Sequence, residues 1–272
     1  MAFSLRGKPI FKLSMFLTTL LSTTTIVKGH GRLMEPPSRS TAFRFGFATP
    51  HNYNDNQLSC GGYWNQWELN QGRCGICGDP YQGPRENEAG GKYAKGTIVR
   101  HYKEGQNIDV EIELMVGHGG WSEFRICPNN NIHKAATQQC LDKYLLATPG
   151  GQTRFEHAHM EIGLHKYELK LPSGLTCTQC VLQWRWNTDS NNNCNFVTHK
   201  NCCNGCGPQE QFYGCSDVSI ERATNIVHYA SQTTPRAPPH PFQERVTRPE
   251  RPMGFIPIDV MGRYLKEAKI KT

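Results

Sequence analysis

The sequence predicts an all-β fold, a sandwich of short antiparallel strands joined by long loops. Residues 108–114 alternate strictly between apolar and polar side chains, as in an antiparallel strand with one solvated face. Helical periodicity is scarce, and 132–146 is the best candidate for a helix. Five runs rich in β-branched, aromatic and aliphatic residues, bounded by Gly, Asn or Pro, are the predicted strands: 97–101, 108–115, 123–127, 165–171 and 181–186.

Residues 1–29 have the features of a secretory signal peptide. Three basic residues precede an apolar and threonine-rich run over 13–27. That run is too short and interrupted for the roughly 20 residues that span a bilayer, although an uncleaved anchor is the alternative. Small residues before a cleavage site after Gly29 suit signal peptidase. We therefore expect a secreted, extracellular protein whose mature chain begins at His30 and has no membrane segment.

The cysteines define the folded unit that follows. All 12 lie between Cys60 and Cys215, which predicts a disulfide-tied domain over residues 30–230. The stretch 31–96 shows little regular pattern and is expected to form loops around the sandwich. A zinc module is the alternative, but zinc thiolate sites belong mainly to reducing compartments, so secretion favours disulfides. Three pairs have the spacing that zinc sites use: Cys74 and Cys77, Cys177 and Cys180, and Cys203 and Cys206.

Residues 231–272 differ in composition from the rest and are predicted to be a disordered, Pro-rich basic tail. They contain seven of the 17 prolines, eight basic residues and no cysteine. We favour a solvated tail over one that adheres to acidic surfaces. Residues 30–230 hold 18 basic and 19 acidic residues, a net charge of −1. This balance excludes the basic surface of a nucleic-acid-binding protein. Separately, we expect the protein to be a monomer.

Cleavage after Gly29 would give His30 a free α-amine, so that its amine and ring Nδ1 can chelate one metal ion. With a second imidazole, the three nitrogens form a T-shaped set that suits copper. His118 is the favoured second ligand because it follows the alternating strand and enters a glycine-rich turn. His157 and His159 would share one face of a strand and are an alternative metal-binding pair, without an evident third ligand.

Gln211 and Tyr213 form a second candidate pair near the end of the disulfide-tied domain. Their spacing places both side chains on one face of a strand. The tyrosine can lie axially to a metal, and the glutamine can hydrogen-bond an oxygen species there. The alternative is that Tyr213 is an ordinary core aromatic.

Three stretches together resemble the lytic polysaccharide monooxygenases. They are His30-Gly31-Arg32 after a signal peptide, His118-Gly119-Gly120, and residues 211–217. The arthropod branch is most similar, namely auxiliary activity family 15 with its chitin-binding type-4 domain. The resemblance extends from His30 to about Ile220. The chain departs from it at Val116-Gly117, where many relatives have Ala-Asn, and in an insert at 191–206.

The resemblance implies an immunoglobulin-like (fibronectin III-like) antiparallel β-sandwich that binds one copper ion per chain. By this resemblance, His30 supplies its amine and Nδ1, His118 supplies Nε2, Tyr213 is axial and Gln211 lies beside the metal. The implied reaction uses an external electron donor and hydrogen peroxide or dioxygen as co-substrate. It hydroxylates C1 or C4 beside a glycosidic bond. The implied partner is chitin, with cellulose or another crystalline polysaccharide as the alternative.

Two other function classes are compatible with the sequence. A non-catalytic chitin-binding module would not require a terminal histidine, and a secreted copper-binding protein would keep the ligands without a carbohydrate face. Sugar rings stack on exposed aromatic side chains, although aromatics that are partly buried in loops are equally expected here. Residues that bind substrate therefore cannot be assigned among the five aromatic candidates: Tyr53, Tyr63, Trp64, Trp67 and Trp121.

Overall fold

The computed structural model describes residues 30–190 and 206–223, which form a sandwich of two β-sheets. One sheet has three strands in the order β1-β3-β6, and the other has five in the order β2-β8-β7-β4-β5. Neighbouring strands are antiparallel except β2 and β8, which are parallel. The strands are β1 (His30–Glu35), β2 (Arg100–Lys103), β3 (Asn107–Val116), β4 (Gly120–Pro128), β5 (Phe155–His157), β6 (Gly163–Lys170), β7 (Cys177–Asn187) and β8 (Gln211–Glu221). The predicted all-β sandwich is confirmed.

The three-stranded sheet follows the alternation of the sequence. In β3 the apolar residues from Ile108 to Leu114 face the core and are at most 2% exposed. The acidic residues between them lie on the outer face, where Arg32 of β1 forms an ion pair with Glu113 at 2.5 Å. This is the expected form of a sheet with one solvated face.

The five-stranded sheet is covered on both faces. Its inner face carries the large aromatic side chains of the core, including Trp184, Trp186 and Phe212, each at most 1% exposed. Its outer face lies under the long loop that follows β1. Arg39 in this loop donates two hydrogen bonds to Asp217 of β8, at 2.8 and 2.7 Å, and both residues are buried. The loop is thus part of the folded body, as expected for residues that wrap the sandwich.

Three local predictions need correction, and one strand was missed. The helix expected over 132–146 is limited to α1 (Gln138–Leu141), because Cys140 is bonded to Cys127 and the following chain pairs with β4 through Leu145. The expected loop 31–96 begins instead with β1, and β5 was not predicted at all. The strand expected at 97–101 starts only at Arg100.

Disulfides account for the cysteines of the described residues. The four bridges with both partners described are Cys60–Cys74, Cys77–Cys215, Cys127–Cys140 and Cys177–Cys180. The zinc alternative is therefore wrong for Cys74 and Cys77, which bond to different partners, and for Cys177 and Cys180, which bond to each other. Cys206 is also disulfide-bonded, whereas Cys203 lies outside the described residues.

The predicted signal peptide (1–29), the tail (231–272) and most of the insert at 191–206 lie outside the described residues. They stay predictions, as does the domain boundary at residue 230. Among the residues that the structure describes, no helix is long and apolar enough to span a membrane.

Candidate metal centre

The predicted ligands lie where several strands begin or end. His30, the first residue of β1, is opposite Val116, the last residue of β3. The chain then turns through His118 into β4, which begins at Gly120. The end of β7 and the start of β8 meet at the same end of the sandwich, where Asn187 is opposite Gln211. Backbone pairing therefore brings residues distant in sequence to one edge.

His30 and His118 are close enough to interact electrostatically. Burial lowers the pKa of the His118 imidazole, and the neighbouring His30 and His159 lower it further, while Asp189 opposes the shift. The neutral imidazole is the form that binds a metal ion. Neither ring makes a hydrogen bond to another of the described residues, so the nitrogens of both are available to a ligand.

The turn that carries His118 requires its glycines. Gly119 and Gly120 have positive φ angles of 59° and 85°, which side-chain-bearing residues rarely adopt. A Cβ on Gly117 would lie 2.5 Å from the carbonyl oxygen of His159. This close approach is a physical reason for glycine at position 117.

Two further polar residues border His118, in an arrangement that no pattern in the sequence predicts. The Asp189 backbone N–H donates to the His118 carbonyl oxygen at 3.0 Å. The Asp189 carboxylate also pairs with Nε2 of His159 at 2.9 Å. His157 contacts Ser122 whereas His159 contacts Asp189, so the two side chains have different neighbours, and their role as a metal-binding pair stays a prediction. Residues 159 and 189 are too far apart in sequence for a local pattern to reveal their contact.

Gln211 and Tyr213 contact each other, as their spacing predicts. The Tyr213 hydroxyl donates to Oε1 of Gln211 at 2.7 Å, and Gln66 Nε2 donates to the same oxygen at 2.8 Å. Burial raises the pKa of the Tyr213 hydroxyl, and Arg185 on the outer face of the five-stranded sheet opposes this shift. Tyr213 therefore lies on the outer face, where its hydroxyl contacts Gln211 and Arg185.

Phe212 faces the opposite way because side chains alternate along a strand. Its ring packs 5.2 Å from that of Trp186. The Trp186 indole N–H in turn donates to the carbonyl oxygen of Gly119 at 2.8 Å, next to His118. Phe212 is thus linked through one side chain to the turn that holds His118.

The predicted aromatic candidates differ in exposure. Tyr53 and Trp64 are 77% and 62% exposed, so their rings are available to a ligand. The Trp67 indole N–H donates to the Gln209 carbonyl oxygen at 2.8 Å, which supports a structural role. Trp121 lies beneath the guanidinium groups of Arg154 and Arg185.

Acidification is expected to destabilise the domain through His157. Burial lowers the pKa of this imidazole to about 4, and His165 adds to the shift while Glu161 opposes it. The unfolded imidazole has a pKa near 6.5, so between these values the unfolded chain binds more protons than the folded one. The stability that a neutral His157 provides is thus complete above pH 6.5 and is lost as the pH falls towards 4, by about 3 kcal/mol in total.

Guanidinium unfolding between pH 7 and pH 4, with a chelator present, measures this loss. His157→Gln should flatten the pH dependence, whereas replacing the exposed His133 by Gln should leave it unchanged. An equally steep dependence in His157→Gln would show that other groups cause the acid sensitivity.

Comparison with known proteins identifies the family. The family model described as "Lytic polysaccharide mono-oxygenase, cellulose-degrading" matches residues 30–218. The solved AA15 lytic polysaccharide monooxygenase from Thermobia domestica, in its Cu(I) state, is 44% identical, with 70% of this chain and 98% of that chain covered and a TM-score of 0.65. A chitin binding domain from Burkholderia pseudomallei is 14% identical, with 71% of this chain and 100% of that chain covered and a TM-score of 0.42.

No protein with a curated description matches the chain. The family match covers more than half of the chain and starts at His30, the predicted first residue of the mature protein. The resemblance to the arthropod branch is confirmed by the insect structure. The chain belongs to the lytic polysaccharide monooxygenase family and is a copper-dependent oxidoreductase that acts on polysaccharides.

Proposed function

We propose that the mature, secreted protein binds copper through His30 and His118 and oxidatively cleaves crystalline chitin, with cellulose as the alternative substrate. One observation supports this most strongly. In a chain of this family, two histidines 88 positions apart in sequence meet at one end of the sandwich, and both rings are available to a ligand. Hydroxylation at C1 or C4 is part of the proposal.

The donor set fits copper. Two imidazoles and an amine are nitrogen ligands of the type that Cu(II) prefers. In the full chain the nitrogen of His30 is a peptide amide, so cleavage after Gly29 is needed to create the amine. When bound, copper supplies the one-electron redox chemistry by which dioxygen or hydrogen peroxide attacks a strong C–H bond. An external donor supplies the electrons.

The residues of the chain prepare the ligands for this ion. The lowered pKa of His118 keeps its imidazole neutral and ready to bind near neutral pH. The glycine turn and the Asp189 hydrogen bond hold the backbone on both sides of that ring. A rigid support of this kind lowers the cost of ordering ligands around a metal.

The axial role of Tyr213 and the neighbouring role of Gln211 stay predictions. Their mutual hydrogen bond supports a joint function near the start of β8. Phe212 is a second candidate for the axial aromatic, because it packs on Trp186 beneath the His118 turn. Electron paramagnetic resonance of the copper-loaded Tyr213→Phe variant separates the two, since loss of an axial tyrosine oxygen alters the Cu(II) signal and loss of a distant hydroxyl does not.

Exposed aromatic residues next to the site support a polysaccharide surface. The loop that carries Tyr53 is joined to β1 by a hydrogen bond from the Gly31 N–H to the Asn56 carbonyl oxygen at 3.0 Å. Trp64 immediately precedes the π-helix Asn65–Leu69, whose Gln66 side chain contacts Gln211. Both exposed rings therefore belong to loops that contact the strand ends at the site. Sugar rings stack on such surfaces.

Mass spectrometry of soluble products tests the proposed substrate. Mature protein that starts at His30, loaded with copper and supplied with ascorbate, should release oxidised oligosaccharides from chitin. These products should disappear without ascorbate. Products from cellulose alone would overturn the choice of chitin. Binding to chitin without oxidised products would favour a non-catalytic binding module. Tight copper binding without chitin binding and without products would favour a copper-binding protein.

A further inference from the structure

A second group of side chains with possible metal ligands lies between the edge strands of the two sheets. His157 ends β5, His165 lies in β6, and Glu161 is in the connection between them. One ligand atom from each residue can be chosen so that all three lie within 4.8 Å of one another. β5 is the edge of the five-stranded sheet and β6 the edge of the three-stranded sheet.

Two ring nitrogens in this group lack partners. Nδ1 of His157 and Nε2 of His165 are buried and make no hydrogen bond within the described part of the chain. His157 is 7% exposed, so water has little access to it. A buried polar atom without a partner is costly, and such atoms are rare in native proteins. A cation bound by these nitrogens would remove that cost.

The other nitrogen of His157 is held in the way that suits a metal ligand. Its Nε2 lies 2.8 Å from the Ser122 hydroxyl oxygen, which also accepts a hydrogen bond from the Trp184 indole N–H at 3.0 Å. A hydroxyl oxygen can accept two hydrogen bonds, so Nε2–H of His157 can donate to it. The Nδ1 lone pair is then free. Metal-bound histidines are commonly oriented by such a hydrogen bond from their second nitrogen.

We propose that His157, Glu161 and His165 bind a divalent transition metal ion, and that zinc fits their donor set best. Two neutral imidazoles and one carboxylate are common zinc ligands, and water can complete a tetrahedron. Ligand atoms at the usual zinc distances are about 3.4 Å apart. The Glu161 carboxylate already lies 3.4 Å from Nδ1 of His165, and rotation of the side chains would close the group around an ion. Bound metal would fasten the two sheet edges to each other.

This site is separate from the proposed copper site. His159 lies between the two along the chain, but it pairs with Asp189 on the side of His118. The connection that contains Glu161 also passes close to the turn of His118. The backbone nitrogen of Glu161 is so near Gly117 that a Cβ added there would lie 2.8 Å from it. Metal binding would therefore also order the segment on which the His118 turn rests.

Zinc binding to the mature His118→Ala variant tests the proposal, since this background lacks one of the proposed copper ligands. After incubation with zinc and gel filtration, metal analysis should find one zinc ion per chain, and zinc should raise the melting temperature. Cobalt in place of zinc should give the intense visible absorption of a tetrahedral site. Adding Glu161→Gln should weaken zinc binding at least about tenfold.

The control is Glu156→Gln in the same background. Glu156 is an exposed carboxylate on β5, outside the proposed ligand group, so this substitution should leave zinc binding unchanged. His165→Asn is a second variant in case one substitution impairs folding, which circular dichroism in chelator reports. The proposal is overturned if the His118→Ala variant retains no zinc. It is equally overturned if folded Glu161→Gln and His165→Asn variants bind zinc as tightly as their parent.

Discussion

Replacing His118 by Ala is expected to abolish reductant-dependent cleavage of polysaccharide and to weaken copper binding by about 100-fold or more. The variant keeps only the chelate of His30, and two nitrogens do not complete the set that holds copper. The fold should persist, because the His118 ring is partly exposed and makes no hydrogen bond to the described residues. Its removal should change the free energy of unfolding by about 0.5 kcal/mol or less.

Copper titration, product analysis and thermal unfolding of the same preparation measure these effects. His133→Ala removes an exposed histidine and should behave as the wild type in all three. Cleavage that survives in His118→Ala would remove this residue from the copper site. A large loss of stability would instead assign His118 a structural role.

Replacing Cys77 and Cys215 together by Ala is expected to lower the free energy of unfolding by about 5 kcal/mol. This disulfide joins residues 138 positions apart, so its loss frees a long loop in the unfolded chain. It also connects β8 to the loop that covers the outer face of the five-stranded sheet. Both cysteines are at most 2% exposed, so the truncation leaves a cavity as well.

Chemical unfolding of the double variant measures this loss. The matched control is the double Ala variant of Cys177 and Cys180, which are three positions apart. Its expected cost is about 2 kcal/mol or less, because the loop that it closes is short. Equal losses in the two variants would contradict the explanation by loop length.

The sequence predicted the elements that are determined by a local pattern. β3 was evident because its alternation matches a sheet with one buried face. The histidine pair was predicted from the position of His30 after a cleavage site and from the glycines beside His118. The structure brings these two together through the pairing of β1 with β3.

Features that depend on contacts between distant residues were not predictable. β5 is three residues long and has no pattern of its own; it forms because it pairs with β4. The contact of Asp189 with His159 and the group around Glu161 likewise depend on how the sheets close. Residues 132–146 do not form the expected long helix, because a disulfide and pairing with β4 outweigh their weak helical propensity.

The binding of copper by the amine of His30 is the central claim, and one comparison of copper affinity tests it directly. Mature protein that begins at His30 is compared with the same protein carrying one additional residue before it, which converts the amine into a peptide amide. We predict that the extension weakens Cu(II) binding by about 100-fold or more and alters the electron paramagnetic resonance signal. Unchanged affinity and an unchanged signal would contradict the claim and exclude the amine as a ligand.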